Sequence, residues 1–243
     1  MDLSIVIPAL NEEKKIAPDI TTAAFFFGEA GLKGEVIVVD DGSSDHTFHN
    51  ALTAMVPDAV PRRVIRLDRN SGKGAAVKTG IRETAGEVVL YADSGTCIPY
   101  EDALPAYARI RAGEIDIAVA SRAHPASVLC RNRPLSRRIV SRFFRRSARL
   151  IAGLPKEFGD SQCGFKLYRG DIARKLFAGL ETPGFAFEIE LLLKAKHRGL
   201  RIEEFPVHWS CDPDTRLRPA RQSLAVWKEL WRVRKILRLD IGT

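Results

Sequence analysis

Acidic side chains follow three apolar runs in this chain, each at the point where the run ends. The run IVIP leads to Glu12, VIVV leads to Asp40 and Asp41, and VVLYA leads to Asp93. Carboxylates in such positions can bind a metal ion or the hydroxyl groups of a ligand. An acid after a strand can also cap the next helix, and we expect this of Ser44 or Asp45. Capping explains one acid in each turn, but it does not explain why two acids, Asp40 and Asp41, are adjacent.

A second cluster, Gly72-Lys73-Gly74, stands at a predicted helix start. Backbone N–H groups, the positive end of a helix dipole and a lysine ammonium together suit a phosphate. The spacing is not that of a P-loop, which places Lys-Ser/Thr after a second glycine, so a generic NTPase is not indicated. The sequence therefore predicts a phosphate-bearing ligand.

The elements that must position these residues form an α/β pattern. Near-continuous apolar strands alternate with helical stretches, which predicts a mostly parallel sheet covered on both faces. The expected strands are residues 3–10, 35–42, 63–67, 87–95 and 115–122. Ligands of such sheets bind outside the carboxyl ends of the strands, where the acids lie.

The composition changes near residue 123, where the sheet pattern is expected to end. We predict a single domain, 1–243, with a nucleotide-binding half, 1–122, and an acceptor-side half, 123–243. Residues 117–156 carry nine arginines and one lysine without an acid, and the whole chain has a net charge of +8. Such a segment meets phosphates on a nucleic acid, a lipid or a small substrate, or is simply a solvated helix face.

Other classes of protein are disfavoured. The chain has no recognised nucleic-acid-binding motif and no stacking platform of aromatic residues, so no nucleic-acid partner is expected. Its four cysteines are far apart, which favours neither disulfides nor a zinc ribbon and fits a reducing cytoplasm. The first residues lack signal-peptide features, and no apolar window reaches the length of a membrane span. We therefore expect a cytoplasmic location.

The combination of motifs resembles the inverting family 2 glycosyltransferases, which have the GT-A fold. The similarity is greatest to the branch that makes dolichyl-phosphate or polyprenyl-phosphate sugars. The matching stretches are IVIPALNEE, VIVVDDGSSDHT, NSGKGAAVKTG, the strand ending in Asp93, ASRAH, DSQCGFKLY, FEIELLLKAKHRG and IEEFPVHW.

The resemblance implies roles for individual residues. The nucleotide-sugar site would comprise Pro8, Glu12, Asp40, Asp41, Lys73 and Asp93. Arg122 would face the diphosphate or the acceptor phosphate, and Asp160 falls where the family has a candidate catalytic carboxylate. Asp160 is alternatively a loop cap, and Arg122 a surface arginine.

The family's Asp-x-Asp motif binds a divalent cation, Mg²⁺ or Mn²⁺, and here it reads Asp93-Ser94-Gly95. Gly95 replaces the second acid. Magnesium is held by one or two carboxylates plus substrate phosphates, so Asp93 alone can suffice. The resemblance thus implies a weakened metal site at Asp93.

The function implied is transfer of a hexose from a nucleotide sugar, with UDP-glucose favoured, to a polyprenyl or dolichyl phosphate. GDP-mannose as the donor, a non-lipid acceptor and a non-catalytic nucleotide-sugar-binding relative remain alternatives. The basic segment and a C-terminal amphipathic helix predict peripheral binding to an anionic membrane surface on its cytoplasmic face. In that helix Leu230, Val233 and Leu237 share one face, which packing on the sheet would also explain.

Overall fold

The computed structural model describes residues 1–130, 142–210 and 219–241. Its centre is a seven-stranded sheet in the order β3-β2-β1-β4-β7-β5-β8, and β6 and β9 form a separate pair. The strands are β1 (Leu3–Ala9), β2 (Gly34–Asp40), β3 (Arg62–Arg66), β4 (Val88–Ala92), β5 (Ile117–Ala120), β6 (Val128–Leu129), β7 (Phe165–Arg169), β8 (Ile202–Phe205) and β9 (His208–Trp209).

The predicted α/β fold with a mostly parallel sheet is confirmed. Strands β3, β2, β1 and β4 run parallel to one another, as do β5 and β8, and β7 is antiparallel to its neighbours β4 and β5. The expectation that the sheet pattern ends near residue 123 was wrong, since β7 and β8 extend the same sheet. Lys166 interrupts the apolar pattern of β7, yet its side chain is buried against Glu188.

Eight helices flank the sheet within the described ranges. They are α1 (Ile16–Glu29), α2 (Thr47–Thr53), α3 (Lys73–Arg82), α4 (Leu104–Arg111), α5 (residues 142–147), α6 (Gly170–Ala178), α7 (Phe187–His197) and α8 (Pro219–Ile241). A 3₁₀ turn, Tyr100–Ala103, precedes α4, and a π turn, Ala148–Ala152, follows α5. None of these helices combines the length and apolarity that a membrane crossing requires.

Two hydrophobic clusters cover opposite faces of the sheet. Successive side chains of a strand point to opposite faces, so Ile5 and Ile7 of β1 pack against α1, while Val6 between them packs against α3. The first cluster also includes α2 and α4, and the second includes the π turn, α6, α7 and α8. This double burial explains why β1, β2 and β4 read as nearly continuous apolar runs.

Candidate active site

The acidic loops predicted from the sequence meet at one edge of the sheet. Strands β1, β2 and β4 are parallel, so their carboxyl ends share an edge. Strand β7 runs the other way, and the loop of residues 160–164 before it therefore returns to that edge. Pro8 is buried in β1 opposite Val39. The expected site residues consequently surround a single edge.

The loops after β1 and β2 are joined by hydrogen bonds. Oδ1 of Asn11 accepts the Ser44 N–H at 2.8 Å, and the Glu12 N–H donates to Oγ1 of Thr47 at 2.7 Å. Asp45 accepts the Thr47 N–H at 3.0 Å at the start of α2, although the N-cap position itself is His46. The Glu12 carboxylate lies 3.3 Å from Nζ of Lys15. The hydrogen bond from its backbone N–H thus holds Glu12 at this edge of the sheet.

Asp40 and Asp41 have different partners. Asp40 is fully buried, accepts the Ser43 N–H at 3.1 Å and lies 3.3 Å from Nε of Arg66. The two oxygens of Asp41 accept the N–H groups of Ser71 at 2.7 Å and Gly72 at 2.9 Å. Burial raises the pKa of Asp41, and these hydrogen bonds oppose the rise. Asp41 therefore ties the end of β2 to the Gly-Lys-Gly segment, while a contact with the base or ribose stays a prediction.

Lys73 and Asp93 form an ion pair at the start of α3. Nζ of Lys73 lies 2.8 Å from Oδ1 and 2.9 Å from Oδ2 of Asp93, and the Tyr91 hydroxyl donates to Oδ1 at 2.7 Å. Burial opposes the charged form of Lys73, but the charges of Asp93 and Glu188 outweigh burial and raise its pKa. The Asp93 side chain remains 41% exposed. The pair therefore presents a fixed cation and a partly open carboxylate.

The loop after β4 owes its shape to a buried carboxylate on α1. Asp19 accepts hydrogen bonds from the hydroxyls of Ser94 and Thr96 and from the Gly95 N–H, the last at 2.8 Å. Burial raises the pKa of Asp19, and these donors oppose the rise. Gly95 has φ 111°, which L-residues with side chains rarely adopt. An acid at position 95 would strain this turn.

Arg122 and Asp160 form the second ion pair. Nη2 of Arg122 donates to Oδ1 of Asp160 at 2.7 Å, its Nε donates to Oδ2, and its backbone N–H donates to Oδ2 at 3.1 Å. Burial would lower the pKa of Arg122, but the charge of Asp160 outweighs burial and raises it. Asp160 thus fixes the guanidinium at the end of β5, and Arg122 stays charged.

One loop connects the two ion pairs. Nη2 of Arg122 also donates to the Gln162 carbonyl at 3.0 Å, and the Asp93 N–H donates to the Gly164 carbonyl at 2.8 Å. A Cβ on Gly164 would lie 2.0 Å from Oδ2 of Asp93, so only glycine allows this approach. Below the loop, the buried Lys166 donates to the Ser161 carbonyl at 3.1 Å. Residues 160–164 therefore set the position of one pair relative to the other.

The site fits a divalent cation only in part. The described residues contain no group of three or more His, Cys, Asp or Glu side chains placed to hold a metal. Asp93 offers one accessible carboxylate, which suits Mg²⁺ or Mn²⁺ shared with a diphosphate. Asp93 thus fits a cation that arrives with the donor, and it does not fit one held by protein ligands alone.

Several residues of the site were not predicted from the sequence. Tyr91 precedes Asp93 by two residues on the same face of its strand, and this period-two spacing was an available signal. Gly164 lies within DSQCGFK, the stretch in which the sequence predicted a role only for Asp160. Asp19 and Glu188 carry no local signal, because their partners are distant in the chain. Residues 131–141 and 211–218, which include part of the arginine-rich segment and the DPDTRLR stretch, lie outside the described residues.

A solved structure of similar fold defines the class of protein. The fold matches glucosyl-3-phosphoglycerate synthase from Mycobacterium tuberculosis, solved with Mn²⁺, UDP-glucose and phosphoglyceric acid, with a TM-score of 0.67 and 23% sequence identity. The match covers 96% of this chain and 78% of that one. The protein has the GT-A glycosyltransferase fold.

Sequence relatives then identify the family. The model of glycosyl transferase family 2 matches residues 4–177. The chain is 33% identical to a dolichyl-phosphate beta-glucosyltransferase of Drosophila melanogaster and 32% identical to one of Homo sapiens; each match covers 96% of this chain and 74% of the relative. The chain belongs to glycosyl transferase family 2 and is a glycosyltransferase.

Proposed function

We propose that this enzyme transfers a hexose, with inversion, from a nucleotide sugar to the phosphate of a polyprenyl or dolichyl phosphate. UDP-glucose is the favoured donor. The names of the relatives, dolichyl-phosphate beta-glucosyltransferases, support this donor sugar and this acceptor. Reaction takes place at the cytoplasmic face of a membrane, to which the protein binds peripherally.

The observation that carries the proposal is that the loop of residues 160–164 links two ion pairs, each of which holds a cation. Lys73 is held by Asp93 on one side of the loop and Arg122 by Asp160 on the other. Transfer of a sugar from a diphosphate to a monophosphate requires positive charge beside each of the two phosphate groups. In the part of the chain that the structure describes, no residue accepts a hydrogen bond from Nη1 of Arg122, which suits a phosphate oxygen.

The acceptor needs little help to become a nucleophile. A phosphate monoester has its second pKa near about 6, so it is largely a dianion at neutral pH. One of its oxygens attacks the anomeric carbon as the bond from that carbon to the diphosphate breaks, and the electron pair leaves with the nucleoside diphosphate. No proton has to be removed. Asp160 therefore acts by orienting Arg122 and by its negative charge near the sugar, with no requirement for a base.

Lys73 stabilises the departing diphosphate. Its ammonium lies at the start of α3, whose first N–H groups add positive potential. A divalent cation shared by Asp93 and the diphosphate would add fixed positive charge there. Asp41 fixes the segment before Lys73 beside the end of β2 by accepting the N–H groups of Ser71 and Gly72.

Identification of the product tests this proposal. The purified protein is incubated with labelled UDP-glucose, GDP-mannose or UDP-galactose and a polyprenyl phosphate, and the lipid extract is analysed for a sugar phosphodiester of β configuration. Phosphoglyceric acid serves as a non-lipid acceptor for comparison. A β-glucosyl lipid formed from UDP-glucose is expected. Transfer to phosphoglyceric acid alone, or donor binding without transfer to either acceptor, would contradict it.

A further inference from the structure

Helix α8 has a second apolar feature on the side that faces away from the core. Leu230, Val233 and Leu237 are buried in the hydrophobic cluster that α8 shares with the π turn and α7, as an amphipathic helix requires. The outward side nevertheless carries Trp227, 38% exposed, and Trp231, 55% exposed. Because core packing already uses the apolar face of the helix, these two tryptophans need another explanation.

The neighbouring element continues this surface. Phe143 on α5 is 57% exposed and Leu150 in the π turn is 73% exposed. The rings of Phe143 and Trp227 stack with 5.8 Å between their centroids, and the π turn shares a buried cluster with α8. The exposed side chains of Phe143, Leu150, Trp227 and Trp231 thus belong to α8 and to the adjoining α5 and π turn, and we call this surface the aromatic face.

The elements that carry the aromatic face also carry exposed basic side chains. Those exposed on α5, the π turn and α8 are Arg142, Arg146, Arg149, Lys228, Arg232, Lys235 and Arg238. Over residues 142–154 and 227–238, the only acid is Glu229, and its carboxylate accepts the Ala186 N–H at 2.9 Å. The face therefore combines bulky apolar groups with positive charge that is not neutralised within those residues.

This composition matches an anionic lipid surface. Tryptophan is favoured at the boundary between lipid headgroups and acyl chains, and basic residues are attracted to anionic headgroups. A nucleic acid would also attract the arginines. Leu150, however, offers nothing to a phosphate or a base edge, whereas it gains by entering hydrocarbon.

The aromatic face is physically connected to both ion pairs of the site. Arg145 of α5 donates to the Gly159 carbonyl, next to Asp160. On α8, the Glu229 carboxylate accepts the Ala186 N–H. In the loop that precedes Ala186, the Pro183 carbonyl accepts the Ala75 N–H of α3 at 3.1 Å. We propose that the aromatic face docks on an anionic membrane and brings residues 160–164 next to the lipid headgroups. Delivery of the acceptor phosphate rests on the proposed function, whereas the docking itself does not.

The docking is tested with the full chain and vesicles of phosphatidylcholine, with or without phosphatidylglycerol. Sedimentation with the vesicles and quenching of tryptophan fluorescence by brominated lipid measure binding. We expect binding to the anionic vesicles, weakened by salt, and a loss of about tenfold or more in the Leu150→Glu/Trp231→Glu variant. Changing Lys228 and Lys235 to Gln should each weaken binding roughly fivefold.

Phe25→Glu is the matched control, since Phe25 is exposed on α1 on the opposite side of the sheet. Unfolding by circular dichroism verifies that each variant is folded. Equal binding to neutral and anionic vesicles, no binding at all, or an equal loss with Phe25→Glu would overturn the proposal. Binding to an oligonucleotide instead of vesicles, abolished by the double substitution, would assign the face to nucleic acid and also overturn it.

A kinetic comparison separates this proposal from the proposed function. The double variant should keep transfer to a short, water-soluble polyprenyl phosphate and lose transfer to a long-chain acceptor embedded in anionic vesicles. Vesicle binding without transfer to any acceptor would remove the proposed function and leave the docking intact. Transfer to vesicle acceptors that is insensitive to the double substitution would contradict the docking.

Discussion

Nζ of Lys73 lies within 2.9 Å of both carboxylate oxygens of Asp93, and a third group, the Tyr91 hydroxyl, donates to the same carboxylate. On the proposed function, a bound donor would provide phosphate oxygens as new partners for Lys73 and would leave Asp93 for a cation. The pair would in this way couple cation binding to donor binding.

Replacing Lys73 by Met should lower kcat/KM for the nucleotide sugar by about 10²–10³-fold, because a fixed cation beside the leaving group is lost. Steady-state kinetics with varied donor measures the effect. Arg82→Met, at the exposed end of the same helix, serves as the control and should leave kcat/KM unchanged. Equal losses in both variants would show that the helix, and not the ammonium, is responsible.

Divalent cation binding should require the nucleotide. With one carboxylate available, titration calorimetry should detect little Mn²⁺ binding by the free protein and clear binding in the presence of UDP. Asp93→Asn should abolish that nucleotide-dependent binding. Strong Mn²⁺ binding by the free protein would indicate ligands besides Asp93.

Restoring the second acid of the Asp-x-Asp motif should not strengthen cation binding. In Gly95→Asp, a side chain is forced into φ 111° while the backbone N–H is bound to Asp19, at a cost of about 1–3 kcal/mol. We expect lower thermal stability and no tighter Mn²⁺ binding with UDP. Tighter binding at unchanged stability would show that the loop readily adopts another shape.

Glu229 of α8 should support the donor site from a distance. Glu229→Ala leaves the Ala186 N–H without its acceptor, at a cost of roughly 1–3 kcal/mol, and loosens the loop on which Gly72 and Gly74 pack. We expect a higher KM for the donor with a smaller change in kcat, and partial recovery in Glu229→Gln, whose amide oxygen still accepts. Glu181→Gln, a nearby exposed acid, is the control. A fall in kcat alone would contradict this role.

Asp116 should make stability depend on pH at the acidic end. Hydrogen bonds from Arg201 lower its pKa, and the nearby Arg169 guanidinium adds to this effect. The stabilisation is therefore complete above the ordinary aspartate pKa and is lost as the pH falls through the lowered one. Asp116→Asn should be less stable than the wild type by roughly 1–3 kcal/mol at pH 7, with a difference that shrinks towards acid. Urea unfolding measures this, and a constant difference at every pH would count against it.

The sequence predicted β1 to β5 and the residues at their ends; β1, β2, β4 and β5 are buried on both faces and read as apolar runs, whereas the edge strand β3 is only partly buried. It did not predict β7, since Lys166 looks exposed until Glu188, more than twenty residues away, is placed beside it. It anticipated the amphipathic character of α8 and left open whether the apolar face packs in the core or meets a membrane; the structure buries that face and leaves two tryptophans exposed. Asp19 and the link through residues 160–164 depend on contacts between distant segments, which no local pattern records.

The most direct test of the central claim is release of nucleoside diphosphate from UDP-glucose, with and without a polyprenyl phosphate, in the wild type and in Asp160→Asn. We expect release that depends on the lipid phosphate and that chelator suppresses. In Asp160→Asn, release should fall by about 10²-fold or more while UDP-glucose affinity is nearly unchanged, because asparagine keeps only one of the two acceptor oxygens that orient Arg122 and carries no negative charge. Release that is independent of the lipid phosphate, or unaltered turnover in Asp160→Asn, would contradict the role assigned to the two linked ion pairs.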